Sequence, residues 1–181
     1  ETGAKIAVDY TAEYLECLPF SLTGAQRRAI ADCVADMQGA CPMSRLVQGD
    51  VGSGKTLVAA AAIWHAAQNG WQSAMLAPTE LLAEQHARSL TRLLAGSGVR
   101  VGLLTGSQPA AVKKQVQADL AAGDIDFIVG THALLSEGVV FHRLGLVITD
   151  EQHRFGVAQR ATLAAKGANP HMLVMSATPI P

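Results

Sequence analysis

The sequence predicts an α/β fold: a mostly parallel β-sheet with helices on both faces, built around one glycine-rich loop. Three observations predict it. Short apolar runs rich in Val, Ile and Leu alternate with helical stretches along the chain, the pattern of parallel strands buried on both faces. Apolar residues make up 49% of the 181 residues and aromatics only 4%, so the core must be Ala, Val, Leu and Ile, which suits helices lying close on a sheet. Finally, GDVGSGKT, Gly49 to Thr56, matches G-x-x-x-x-G-K-[ST] at every fixed position. A chain of this length is one domain, large enough to bury a core without staples.

The elements follow in order. Residues 1–19 read as a lead-in from a preceding region or an added tag, and residues 20–181 as the domain. Pro19 breaks the lead-in, and Thr23 is expected to cap a helix running to about Gln38. Strands are expected at Leu46–Gln48, Ser73–Ala77, Val99–Leu104, Ile125–Val129, Leu146–Thr149 and Met172–Met175. Between them, alanine-rich TLVAAAAIWHAAQ, Glu80–Leu94 and Ala110–Ala122 read as helices, the last stopped by Gly123. In open parallel sheets ligands sit beyond the carboxyl ends of the strands, where the polar motifs of this chain fall.

The glycine-rich loop is a phosphate cradle. Gly49, Gly52 and Gly54 let the backbone curl so that successive amides converge on one anion. Asp50, Val51 and Ser53 fill the open positions of the same cradle. A helix starting at the loop's end adds unpaired N–H groups and its positive dipole end. Lys55 would reach the outer phosphates and the Thr56 hydroxyl would ligate Mg²⁺. A second anchor stands in LGLVITDEQH, where Asp150 and Glu151 directly follow an apolar strand. Asp150 is suited to holding Mg²⁺ through water, and Glu151 to orienting or deprotonating an attacking water. Alone, such a pair would read as acids favoured by a helix N-terminus, and His153 as an ordinary surface residue. The phosphate loop changes that balance.

Composition excludes other classes. Cys17, Cys33 and Cys41 are an odd number without C-x-x-C spacing, so neither a disulfide framework nor a zinc site is expected, and a reducing cytosol fits. No apolar run approaches the roughly 20 residues that span a bilayer, and no signal peptide is evident. The net charge of −1 lacks the electrostatic footprint of a strong stand-alone nucleic-acid binder, though a motor can hold nucleic acid with few residues and a partner domain. A small-molecule phosphate-loop kinase is the rival enzyme class, without a clear pattern of lid arginines. A non-catalytic nucleotide switch is the third reading, against which the intact Lys55, Asp150 and Glu151 argue.

GDVGSGKT, DEQH and SATPIP (Ser176 to Pro181) together resemble the first motor domain of superfamily-two helicases and translocases. More narrowly, LVQGDVGSGKT, APTELLAEQH, VGTHALL and DEQHRFGV resemble the bacterial RecG family of branch-migration helicases, from about Pro19 to the end of the chain. Transcription-repair coupling translocases are the nearest rival. Their tetrad usually reads DEEH and their loop carries a bulky residue at the place of Ser53, so Gln152 and Ser53 favour the RecG family; PriA-type helicases are more distant.

The resemblance implies a recA-like fold, ATP and Mg²⁺ as cofactors, and catalytic roles for Lys55, Asp150, Glu151 and His153. It implies that Gln26, in LTGAQ, reads the adenine edge, for which an amide has both donor and acceptor. It implies DNA contacts by Thr79 and Glu80 in APTELLAEQ, by Thr105 and Gly106, and by Thr131, with Ser176 and Thr178 coupling nucleotide state to DNA movement. Lys113 and Lys114 read as solvating a helix face. The partners implied are branched DNA, a second recA-like domain bringing arginines to the phosphates, and an N-terminal wedge domain, in a bacterial cytoplasm with no membrane association. On that pattern the chain is expected to be a piece truncated after the SAT motif, binding ATP–Mg²⁺ weakly and unwinding nothing alone.

Overall fold

Strands and helices alternate from Ser44 onward. The computed structural model describes residues 28, 30–31, 35, 44–48, 55–95, 98–150, 162–163, 165–166 and 170–176; the lead-in expected over residues 1–19 lies outside them. Arg28, Ile30, Ala31 and Ala35 are helical, in line with the helix expected from Thr23 to Gln38. Then follow β1 (Ser44–Gln48), α1 (Lys55–Gln68), β2 (Gln72–Leu76), α2 (Glu80–Leu93) and β3 (Val101–Leu104). The chain continues with α3 (Ala110–Ala122), β4 (Phe127–Gly130), a single 3₁₀ turn (His132–Leu135), β5 (Leu144–Asp150) and β6 (His171–Ser176).

The strands form one six-stranded sheet in the order β1-β6-β5-β2-β4-β3, and every pairing is parallel. All six carboxyl ends therefore lie on one edge. The register lines them up: Gln48 is opposite Ser176, Met175 opposite Asp150, Thr149 opposite Leu76, Leu76 opposite Gly130, and Gly130 opposite Leu104.

Side chains alternate between two cores, as the pleat demands. Met75, Val129, Ile148 and Leu173 face one core with α1 and α2. Leu76, Ile128 and Val147 face the other with Leu120 of α3 and with Leu134, Val139 and Leu163. Helix α1 is buried from Val58 to Ala66, a stretch that is apolar but for His65, the condition for a helix enclosed on every side. Its run Ala59–Ala62 presents only methyl groups, so the helix lies close on β2 and β5. Burying Ile63 fully contributes about 1.5–3 kcal/mol.

The caps carry out what the sequence implies. The Thr79 hydroxyl accepts a hydrogen bond from Leu82 N at 3.2 Å at the start of α2. Gly123 ends α3 at φ 84°, a left-handed conformation that glycine adopts without a Cβ penalty. At the amino edge, buried Gln72 donates to Leu120 O and Ile125 O, both at 2.8 Å, and accepts from Arg143 N at 2.9 Å. This side chain explains why β4 begins at Phe127 rather than at Ile125: the Ile125 carbonyl is engaged by an amide instead of the ladder.

Candidate nucleotide and nucleic-acid site

The carboxyl edge divides into two neighbouring sets of strand ends. In the first, β1 ends at Gln48, and α1 opens at Lys55 after the GDVGSG run. Beside β1 lies β6, which ends at Ser176, and beside that β5, which ends at Asp150. Parallel pairing thus brings the start of the phosphate loop, the SAT motif and the acidic tetrad to three adjacent strand ends. Lys55, Thr56, Asp150 and Ser176 are placed by their backbone. Gln26, Gly49, Asp50, Val51, Gly52, Ser53, Gly54, Glu151, His153 and Thr178 lie outside the described residues.

The second set belongs to β2, β4 and β3. Their ends surround a groove of about 660 Å³, lined among others by Pro78, Thr79, Glu80, Gly106, Lys113, Thr131, His132 and Ser136. Each expected residue here has a definite place. Thr79 is exposed, but its hydroxyl caps α2. Glu80 accepts hydrogen bonds from Ser107 N at 2.9 Å and from Ser107 Oγ at 2.6 Å. The carboxylate therefore fastens the β3–α3 loop to the first turn of α2, where the helix dipole favours an anion. Thr105 is buried, with its amide donating to Gln108 Oε1 at 3.0 Å, while Gln108 Nε2 donates back to Leu103 O at 3.0 Å. Gly106 is exposed and lines the groove. Thr131 is only 6% exposed, and its carbonyl accepts from Leu134 N at 3.0 Å to form the 3₁₀ turn.

The groove's width depends on Gly130. A Cβ there would meet Leu104 O at 2.5 Å and Leu134 Cγ at 2.6 Å, so only glycine lets the β3 and β4 ends close together with the turn beneath them. With Thr79 and Glu80 engaged in holding the loops, and the Thr105, Ser107 and Thr131 amides bonded within the protein, the groove offers the Lys113 and His132 side chains. Side chains of this kind position a phosphate chain without reading its sequence.

Sequence reasoning missed Ser107, Lys113, His132 and Ser136. Lys113 was the most accessible of these. A helix returning from a parallel strand begins at the sheet's carboxyl edge, so a lysine in the first turn of α3 faces the ligand side rather than open solvent.

The fold and this row of strand ends are those of a helicase domain of the recA-like kind. The chain belongs to the DEAD/DEAH box helicase family, whose family model matches residues 23–181. It is 53% identical over 169 residues to the ATP-dependent DNA helicase RecG of Synechocystis sp., covering 93% of this chain and 20% of that protein. It is 54% identical over 168 residues to the RecG of Bacillus subtilis, covering 93% of this chain and 25% of that protein. The chain thus spans a quarter or less of the length of these relatives. Among solved structures it is similar to RecG bound to a three-way DNA junction, with TM-score 0.83 and 46% identity over 94% of this chain and 23% of that one. The UvsW helicase of bacteriophage T4, 15% identical with TM-score 0.65, shares the fold. The sheet is recA-like, as the resemblance implied. Among the described residues, no helix is long and apolar enough to cross a membrane.

Proposed function

We propose that this chain is the ATP-binding half of an ATP-dependent DNA motor that remodels branched DNA such as forks and junctions. The observation that supports it most is the sharing of one sheet edge by two sets of motifs. Phosphate-loop, tetrad and SAT motifs stand at the ends of β1, β5 and β6, and a groove lined in part by Lys113 lies at the ends of β2, β4 and β3. The RecG relatives and the junction-bound RecG structure support DNA, and branched DNA, as the substrate.

In this reading the amides of Gly49 to Gly54 and the Lys55 ammonium hold the phosphates of ATP, and Gln26 holds its adenine. Thr56 and Asp150 hold Mg²⁺, which neutralises charge on the transferring phosphoryl group when bound. Glu151 orients the attacking water. His153 completes the catalytic tetrad, Ser176 and Thr178 relay the nucleotide state, and the groove tracks the phosphates of one strand through Gly106, Thr79 and Lys113. A second recA-like domain with phosphate-directed arginines, and a wedge domain that engages the junction, belong to the same parent protein. It works in the bacterial cytoplasm.

The test is steady-state ATP hydrolysis by the full-length parent with a synthetic fork, linear duplex or single-stranded RNA. The expected result is strongest stimulation by the fork, lost with Lys55→Ala by a factor on the order of 10²–10³. Equal rates with and without nucleic acid would contradict the reading.

A further inference from the structure

Leu163 and Lys166, which follow the acidic tetrad and RFGVAQR in the sequence, lie against the groove's loop. Leu163 is fully buried in the core shared with Leu134 and Val139. Lys166 Nζ donates to Ser136 O at 2.8 Å and to Val139 O at 2.9 Å. These two carbonyls belong to the loop that leaves the 3₁₀ turn, and Ser136 itself lines the groove. Among the described residues the loop's other hydrogen bonds are local: Ser136 Oγ donates to Ala133 O at 3.1 Å and Val139 N to Ser136 O at 3.1 Å.

A surface lysine ordinarily keeps its ammonium in water and lays only its stem on the protein. Lys166 instead directs two of its three donors at backbone carbonyls, and charge-assisted bonds of this kind are stronger than neutral ones. Burial pushes the amine below its ordinary range against the opposing pull of Glu137, in keeping with an ammonium that has given up hydration for these partners.

We infer that Lys166 is a coupling strap, fastening the segment that follows the DEQH tetrad to the loop beneath the DNA groove. It is a positioning residue and touches neither ATP nor DNA. The inference rests on the proposed reading of tetrad and groove. A shift of the tetrad segment with nucleotide state is passed through Lys166 to Ser136 and Val139, and so to the wall of the groove.

Lys166→Met keeps the stem's packing and removes the donors; Lys166→Arg keeps donors on a stem of similar reach. In the full-length parent, Lys166→Met should leave DNA-free ATP hydrolysis within about twofold and lower the fork-stimulated rate about fivefold or more. Lys166→Arg should restore most of the stimulation. A Lys166→Met protein with a lower Tm and an unchanged ratio of stimulated to basal rate would reduce Lys166 to a structural role and overturn the inference. Should Lys166→Met not fold, Lys166→Gln, which keeps a neutral donor, carries the same comparison with an intermediate loss expected and an unchanged ratio contradicting it. A wild-type protein that no nucleic acid stimulates would instead overturn the underlying reading, and the strap with it.

Discussion

On the β1-β6-β5 side of the sheet, chemistry-bearing residues come in contiguous runs directly after their strands: GDVGSGKT, DEQH and SAT. On the β2-β4-β3 side they come one or two to a strand, and their side chains are largely turned on one another. Thr79 caps its own helix, Glu80 clasps Ser107, and Gln108 closes the turn around Thr105. What remain for a ligand there are a few neighbouring side chains, Lys113 foremost. The difference teaches that the same type of position, a polar residue after a parallel strand, does two kinds of work. On the proposed function a substitution in the first set removes a chemical step, and one in the second alters the shape of a surface.

The largest expected effect lies on the first side. In the proposed function Glu151 orients the attacking water, so with Glu151→Gln turnover should fall by about 10²–10⁴-fold while affinity for an ATP analogue stays within about twofold. Single-turnover kinetics beside a fluorescent nucleotide titration separate the two. Retained turnover would remove Glu151 from the chemistry and weaken the contrast between the sides.

Gly130→Ala comes next. Its methyl group would press on Leu104 O and Leu134 Cγ, and overpacking of this kind costs about 1–3 kcal/mol, read by urea denaturation. Fork affinity should fall with it, since the groove's wall must move, whereas nucleotide affinity should not. A neutral Gly130→Ala would mean that the strand ends separate at no cost, and the groove would not be defined by their close approach.

The smallest effect sharpens the comparison most. Glu80→Ala removes both bonds of the clasp between α2 and the β3–α3 loop, whereas Ser107→Ala removes only the hydroxyl bond and keeps the one from its amide. A double-mutant cycle on stability should return a coupling of about 1 kcal/mol. Fork affinity should drop in both single variants and more in Glu80→Ala, which frees the loop from both bonds. Fork affinity unchanged in Glu80→Ala would mean that the clasp does not shape the groove.

Much of the architecture was legible. All six strands occur where apolar runs stand, with ends displaced by one or two residues, and α3 begins at Ala110 and stops before Gly123 as expected. Those signals are local: periodicity, caps and glycine. What escaped was long-range or very short. Ser107 meets Glu80 across 27 residues and Lys166 meets Ser136 across 30, and no spacing rule links such pairs. The four-residue 3₁₀ turn after Thr131 is too short to show a period. Lys113 looked like a solvated lysine because a sequence does not show which end of a helix sits over the sheet's carboxyl edge until the parallel topology is known.

The central claim is that one sheet edge divides its labour, nucleotide on the β1-β6-β5 side and DNA on the β2-β4-β3 side. Equilibrium binding of an ATP analogue and of a synthetic fork, measured at several salt concentrations on full-length Lys55→Ala and Lys113→Ala, tests it directly. A crossed result is expected. Lys55→Ala loses nucleotide and keeps the fork; Lys113→Ala keeps nucleotide, binds the fork more weakly, and loses about one unit of salt slope. Fork affinity and salt slope unchanged by Lys113→Ala, or both ligands lost together in either variant, would contradict it.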